Sequence, residues 1–314
     1  MSNLTSRNDF ILMGLSSLPH LQIPLFVVFF NMYLMTWIGN VSLLSAIRSD
    51  VRLHTPMYFF LGNLSILDIW YTTTTVPQML IHFLRDRKAI SFNRCFIQMF
   101  FFTFFGSTEC ALLAVMAYDR YVAICYPLRY FTIMGKAACI SLASGSWASA
   151  CTHSLVQTSL ASQLTYCASH DVEHFFCEVQ PLLKISCSDT RVNNILLTLA
   201  SWAFGIGSLL FTLISYIFII IAIMRIPSAE GRCKTFSTCT SHITVVTLFY
   251  GTAIFMYMKP SSNHSQRQDS LISAVYSVVI PMLNPIIYSL RNQDVKGALK
   301  RMIKRNLQGP PLKG

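Results

Sequence analysis

The sequence contains little charge. Only 12% of its 314 residues are Asp, Glu, Lys or Arg and 53% are hydrophobic, whereas about a quarter of a soluble domain is charged. The hydrophobic residues are gathered into seven blocks, each long enough to cross the ~30 Å core of a bilayer as a helix. This pattern excludes an ordinary soluble domain. The blocks are Ile23–Ile47, Pro56–Leu84, Phe96–Val122, Ala137–Leu160, Ile195–Met224, Phe236–Met258 and Leu271–Leu290.

The sequence also lacks the short segments of alternating polar and apolar residues that build a membrane barrel. Lipid offers no hydrogen-bond partner to backbone amides, so the seven blocks are predicted to be helices. No internal repeat or low-complexity linker interrupts them. We therefore predict an all-α membrane protein, a seven-transmembrane helix bundle in a single domain over 1–314. Its parts are an extracellular segment 1–22, the bundle 23–290 and a cytoplasmic tail 291–314.

No basic region followed by an apolar core opens the chain, so we expect no cleavable signal peptide. With the amino terminus outside, 15 of the 24 Lys and Arg fall on the cytoplasmic side, and the positive-inside rule favours that orientation. The basic residues flank the blocks, so the net charge of +11 does not indicate nucleic-acid binding. Asn3 begins a glycosylation sequon on the predicted outer side, and Asn263 begins another.

The tail carries an amphipathic pattern. If residues 292–307 form a helix, apolar residues occupy one side of it and basic residues lie among those on the rest of its surface. This pattern predicts a short helix lying on the anionic inner leaflet. The apolar side consists of Val295, Leu299, Met302 and Ile303.

Four of the ten cysteines fall on the predicted outer side, where an oxidising environment favours disulfides. Four cysteines allow three connectivities, and the residues alone do not choose among them. Cys167, His170, His174 and Cys177 also have a spacing that could hold zinc. We favour disulfides over a permanent zinc site in this compartment. The four cysteines are Cys95, Cys167, Cys177 and Cys187.

Two carboxylates lie deep in the predicted bundle, where buried charge is costly. Asp68 is midway along the second block and Glu109 midway along the third. Two adjacent carboxylates do not readily ionise together. Either one is protonated or a cation such as sodium lies between them, with Asn284 and Asn40 as neutral neighbours. A hydrogen-bonded packing motif is an equally weighted interpretation.

Asp119-Arg120-Tyr121 ends the third block at the predicted inner surface. Arg120 can pair with Asp119 in a resting state and be released to another partner in an active one. The alternative is an arginine that extends to the interface at a helix end. Three residues are weak support, but the ten-residue string Met116–Cys125 around them is highly specific.

That string resembles the olfactory receptors, a branch of the rhodopsin-like G-protein-coupled receptors. Matching motifs extend over nearly the whole chain and suggest the tetrapod-type (class II) subgroup. The residues at Cys233 and Thr235 depart mildly from the family pattern. The further motifs are Gly39-Asn40, Leu53–Leu61, Leu64-Ser65 before Asp68, Ser215-Tyr216, Lys234–His242 and Pro281–Asn292.

The resemblance implies disulfides Cys95–Cys177 and Cys167–Cys187. It also implies a mainly apolar site among the outer halves of helices three, five, six and seven, suited to a small volatile molecule. By alignment with the family motifs, the ligand-binding residues are Phe102, Thr103, Gly106, Ser107, Ala200, Ala203, Phe204, Tyr250, Ile254, Tyr257, Ala274 and Ser277.

Two absences narrow the class of receptor. A receptor for amines that resembled the aminergic families would have an Asp near Phe102, and an opsin would have a lysine in Leu271–Leu290. Neither residue is present.

The resemblance further implies a heterotrimeric G protein of the stimulatory, olfactory type as partner, at the plasma membrane. No cofactor is expected, apart from a sodium ion at Asp68 and Glu109 in one of the interpretations above. The residues implied in G-protein coupling and activation are Asp119, Arg120, Tyr121, Tyr216, Asn284, Pro285 and Tyr288.

Three alternatives remain open at this point. One is a rhodopsin-like receptor for a lipid or metabolite outside the nose. A transporter or channel is less favoured because inverted repeats are absent. An enzyme is the least favoured, because the predicted inner side carries no nucleophile–base pair and no set of metal ligands.

Overall fold

A computed structural model describes residues 9–14, 19–85, 88–167, 170–257, 272–291 and 293–307. Within these ranges, seven long helices form a bundle and an eighth follows them. The helices are α1 Pro19–Ser49, α2 Pro56–Phe83, α3 Phe92–Cys125, α4 Lys136–Ser162, α5 Arg191–Met224, α6 Ala229–Tyr257, α7 Ile272–Ser289 with its last turn reaching Arg291, and α8 Gln293–Leu307.

The helical fold class is confirmed. By length and apolar composition, α1, α3, α5 and α7 can each cross a membrane. The other three have 28, 27 and 29 residues, which is about 40 Å of helix at 1.5 Å per residue. Polar residues, such as Asp68 and the four threonines 72–75 in α2, make these three less apolar.

Most helices are longer than the hydrophobic blocks. Helix α3 begins at Phe92 rather than Phe96, and α6 begins at Ala229 rather than Phe236. The blocks were drawn by apolar content, whereas a helix continues into polar turns beyond the lipid core. Met258 and Leu271, the predicted ends of two blocks, lie outside the described residues.

The sequence analysis named no strands, and the structure adds a small three-stranded sheet. Its strands are β1 Asp9–Leu12, β2 Ala89–Ser91 and β3 Asp171–Val172. They are ordered β2-β1-β3, with β1 antiparallel to β2 and parallel to β3. Strands of two to four residues leave no periodic pattern in a sequence.

Two disulfides lie beside this sheet, Cys95–Cys177 and Cys167–Cys187. This is the pairing that the family resemblance implies, and we call this end of the bundle the disulfide end. The zinc alternative has no support, because Cys167 and Cys177 are both oxidised. Within the described ranges, no group of three or more His, Cys, Asp and Glu is placed to hold a metal.

The opposite end of the bundle contains Arg120 and α8, and we call it the Arg120 end. Helix α8 buries Val295 and Ala298 against the bundle. The Nε of Arg301 donates to Asp50 Oδ2 at 2.9 Å, in the connection between α1 and α2. This hydrogen bond lowers the pKa of Asp50 below its ordinary value of 3.8. The tail helix is therefore docked on the bundle by an apolar face and an ion pair.

Candidate functional site

Asp119 and Arg120 are paired at the end of α3, as the sequence predicted. Arg120 Nε lies 3.7 Å from Asp119 Oδ2, and it also lies 3.3 Å from the sulfur of Met57 in α2. The fully buried Asp119 accepts a 2.8 Å hydrogen bond from the hydroxyl of Tyr130, in the connection to α4. Tyr130 was not predicted. It bonds to Oδ1 of the carboxylate, whereas Arg120 lies beside Oδ2.

A second link at the Arg120 end joins three helices. The hydroxyl of Tyr216 in α5 lies 2.7 Å from His242 Nδ1 in α6. The other ring nitrogen, Nε2, lies 3.1 Å from the backbone oxygen of Leu113 in α3. His242 is fully buried. The sequence analysis quoted it within the Lys234–His242 motif but assigned it no role.

The remaining predicted activation residues make other contacts. Tyr121 donates to the Tyr126 hydroxyl at 3.4 Å, and Tyr288 of α7 is buried. Pro285 lies so close to α1 that a Cβ on Gly39 would come within 2.9 Å of its Cγ. Glycine at position 39 therefore allows α1 and α7 to pack closely.

The two carboxylates that the sequence analysis singled out, Asp68 and Glu109, are both fully buried. Asn284 Nδ2 donates to both oxygens of Asp68 at 3.1 Å. Both oxygens of Glu109, and the side-chain oxygens of Asn284 and Asn40, have no hydrogen-bond partner within the described residues. Oxygen-only ligands suit a hard cation, and a shared proton would also satisfy them.

On α3, the predicted ligand residues point in two directions. The ring of Phe102 lies 4.4 Å from that of Phe176 in the connection between α4 and α5, and 5.9 Å from that of Tyr276 in α7. A Cβ on Gly106 would lie 3.4 Å from the Tyr71 hydroxyl, so Gly106 faces α2. Thr103 is half-buried.

Ser107 instead faces α4. Its Oγ lies 3.0 Å from His153 Nδ1. The ring of His153 stacks on Phe204 of α5, with centroids 5.2 Å apart and 27° between the planes. His153 therefore joins two predicted ligand residues on different helices. Sequence reasoning missed it because the family motifs place the site among helices three, five, six and seven.

The predicted residues of α5, α6 and α7 have varied surroundings. The buried Tyr250 hydroxyl donates to Ser208 Oγ at 2.7 Å, and Ser277 donates to the backbone oxygen of Ser273 at 2.6 Å. Both hydroxyls are thus already used within the bundle. Ala274 is buried, Ala200 is half-buried, and Ala203 and Ile254 are exposed. Tyr257 ends α6, but its side chain lies outside the described part, as do Asn3 and Asn263.

Comparison with known proteins identifies the family that the chain resembles. A family model described as "Olfactory receptor" matches residues 29–306. The human protein named "Olfactory receptor 1L4" is 51% identical over 301 residues, which cover 96% of this chain and 97% of that protein. "Olfactory receptor 5AR1" from Mus musculus is 51% identical with the same two coverages. "Olfactory receptor 13D1" from Homo sapiens is 50% identical over 97% of this chain and 88% of its own length.

Proposed function

Because the chain belongs to the olfactory receptor family, we propose that it binds a small, mostly apolar volatile molecule and activates a stimulatory G protein that raises cyclic AMP. The family consists of receptors, so the chain is not an enzyme. The observation that carries the proposal is family membership over nearly the whole chain. The paired Asp119 and Arg120 at one end of the bundle support it.

We place the ligand among α3, α5, α6 and α7, toward the disulfide end. Aromatic side chains dominate that region, with Phe102 against Phe176 and Phe204 against His153. Such a lining suits a small molecule held by contact and by one or two hydrogen bonds. In this arrangement the disulfide end faces the exterior, and α8 lies on the cytoplasmic leaflet.

The response would be transmitted to the Arg120 end. A ligand shifts the balance between two states only through its different affinity for each. In the resting state, Tyr216 and His242 hold α5 to α6, and Tyr130 holds Asp119 beside Arg120. Breaking these contacts would let α6 swing outward and free Arg120. The cleft so opened would receive the carboxyl-terminal helix of a G-protein alpha subunit.

Asp68 and Glu109 would tune this balance. A sodium ion would be held by the carboxylate oxygens of these two residues, with the oxygens of Asn284 and Asn40 nearby, and would supply positive charge to a buried acidic pair. A shared proton is the competing arrangement. In either case the group stabilises the state in which Asn284 of α7 is bonded to Asp68 of α2.

The test is a cyclic AMP assay in cells that express the chain with a trafficking aid. A broad panel of volatile molecules is screened against the native chain and the Arg120→Ala variant. We expect dose-dependent responses from the native chain and their complete loss in the variant, at equal surface protein. Arg129→Ala, which removes an exposed arginine nine residues away along the chain, is the matched control.

A full response from Arg120→Ala would contradict the role of that residue. Silence of the surface-exposed native chain toward every volatile molecule would favour the second candidate, a receptor for a lipid or metabolite. Ion flux in reconstituted membranes would indicate a channel or transporter instead.

A further inference from the structure

A group of buried polar side chains lies on α4, a helix that contains none of the predicted ligand residues. Buried polar atoms in folded proteins nearly always have a hydrogen-bond partner. Within the described residues, His153 Nε2, both amide atoms of Gln157 and Thr158 Oγ1 have none. At the beginning of α5, Asn193 Nδ2 also has none. Gln157 is only 1% exposed and Asn193 only 3%, so bulk water does not serve them.

His153 and Gln157 lie on the same face of α4. Residues four apart share one face of a helix, separated by about 6 Å along its axis. That face is pressed against α3, because Ser154 donates to the backbone oxygen of Phe100 at 2.5 Å and Ser107 contacts His153 at 3.0 Å. Gln157 lies one turn farther toward the disulfide end.

His153 also contacts α5. Phe204, which stacks on His153, lies within the π-helical segment Ser201–Gly207. Such segments interrupt regular helices rarely and occur often at functional sites. Ser107 and Phe204 were both predicted to contact ligand. The unpartnered atoms of α4 therefore lie beside two residues that family motifs assign to the ligand site.

The chemistry of the unpartnered atoms defines what would satisfy them. If Ser107 donates to His153 Nδ1, then Nε2 carries the proton and needs an acceptor. If Nδ1 donates to Ser107, then Nε2 needs a donor. The Gln157 amide needs both a donor and an acceptor. A hydroxyl group donates and accepts, so it serves either tautomer of the histidine. An ether oxygen only accepts, and a hydrocarbon does neither.

We propose that His153 and Gln157 form a polar subsite that selects odorants bearing a hydroxyl group, such as alcohols and phenols. The hydroxyl is bound between the two side chains, and the apolar part of the odorant lies against Phe204. This inference rests on the proposed odorant-receptor function. It extends the ligand site to α4, which the family motifs did not include.

The experiment compares matched odorants in the cyclic AMP assay. For an alcohol that activates the native chain, we expect its methyl ether and its parent hydrocarbon to need at least tenfold higher concentrations. His153→Phe and Gln157→Leu should each reduce this preference to less than threefold, by weakening the response to the alcohol while leaving that to the ether. His153→Gln retains a donor and an acceptor and should keep part of the preference. Gln163→Leu, at the exposed end of α4, is the matched control.

Several outcomes would overturn the subsite. One is a native chain that responds equally to alcohol and ether, or only to odorants without a hydroxyl. Another is a variant that weakens alcohol and ether by the same factor at equal surface protein, which would mean that ordered water occupies this region and the side chains serve packing. These results differ from failure of the proposed function, in which the native chain at the surface responds to no odorant at all.

Discussion

The two ends of the bundle are held together by different chemistry. At the disulfide end, the Cys95–Cys177 bond ties the connection between α4 and α5 to α3, and the Cys167–Cys187 bond closes a loop within that connection. A three-stranded sheet joins this connection to β1 and β2. Phe10 of β1 is buried there, packing edge-on against Tyr166 with ring centroids 5.3 Å apart. At the Arg120 end, the side-chain links that join α3 and α5 to their neighbours are hydrogen bonds, from Tyr130 to Asp119 and between Tyr216 and His242. The 3.7 Å ion pair of Arg120 with Asp119 lies within α3.

The difference shows where the molecule can change shape. A hydrogen bond contributes about 0.5–3 kcal/mol and is readily exchanged for another, whereas a disulfide breaks only by thiol exchange. The connections at the disulfide end should therefore keep their positions when a ligand binds nearby. The helices at the Arg120 end can separate at a cost that a small ligand can offset. The predictions that follow test this contrast.

The largest effect is expected from the disulfides. Replacing both Cys95 and Cys177 with serine opens a loop closed over 82 residues, while replacing Cys167 and Cys187 opens one of 20 residues. Loop entropy gives contributions of about 4.5 and about 3.3 kcal/mol respectively. Thermal unfolding of the purified receptor should show the first pair lowering the midpoint more. Cys233→Ser, which removes an exposed free thiol, should leave it unchanged. Equal or reversed losses would contradict the account of the disulfide end.

A smaller effect is expected when a single hydrogen bond at the Arg120 end is removed. Tyr130→Phe takes away the 2.8 Å donor to Asp119. Burial, together with the nearby Asp119, raises the pKa of Tyr130, so its hydroxyl remains a protonated donor. Hydrogen bonds to charged groups contribute about 1.5–3 kcal/mol, and each 1.4 kcal/mol is tenfold in an equilibrium.

Basal cyclic AMP should therefore rise by about tenfold or more in Tyr130→Phe, at matched surface protein. Tyr126→Phe removes only the exposed acceptor of the Tyr121 hydroxyl and should leave basal activity unchanged. An unchanged or reduced basal level in Tyr130→Phe would mean that this hydrogen bond does not restrain the resting state.

The smallest effect is a pH dependence at the disulfide end. Burial raises the pKa of Glu178 from 4.5 to about 7, and its carboxylate lies 3.9 Å from His174 Nε2. Because the folded-state pKa is raised, folding favours the protonated carboxyl group. Stability should therefore fall as pH rises from about 4.5 and level off above about 7.

Thermal unfolding between pH 5 and 8 measures this slope. Glu178→Gln, which keeps the shape and stays neutral, should flatten it. A slope identical in native protein and variant would show that Glu178 does not titrate in this range.

The hydrophobic blocks were sufficient to predict the helices, because crossing a bilayer demands long apolar segments. The disulfide pairing came from the resemblance, since four cysteines alone allow three arrangements. The π-helical segments in α5 and α7 were not predictable, because they change hydrogen-bond register without a distinct residue pattern.

The partners within the candidate site were the least predictable part. Tyr130 bonds to Asp119 from 11 positions away, His242 to Tyr216 from 26, and His153 to Ser107 from 46. Each contact depends on how neighbouring helices are rotated about their own axes, and a single sequence does not predict these rotations. The sequence did offer one signal, the histidines His153 and His242 inside hydrophobic blocks. A buried polar side chain requires a hydrogen-bond partner, so each of them indicated a polar contact.

The central claim is that an odorant opens the Arg120 end by moving α6, and the buried thiol of Cys239 reports this most directly. Cys239 lies on α6, fully buried in a cluster with Ala117 of α3 and Tyr216 of α5. Cys139 on α4 is also buried and serves as the internal control. The other free cysteines, Cys110, Cys125, Cys151 and Cys233, are replaced with serine or alanine.

A membrane-permeant maleimide is then applied with and without an odorant that raises cyclic AMP. The account predicts that the odorant accelerates labelling of Cys239 several-fold and leaves the labelling of Cys139 unchanged. If Cys239 stays protected while cyclic AMP rises, or if both thiols become reactive together, the proposed movement of α6 is wrong.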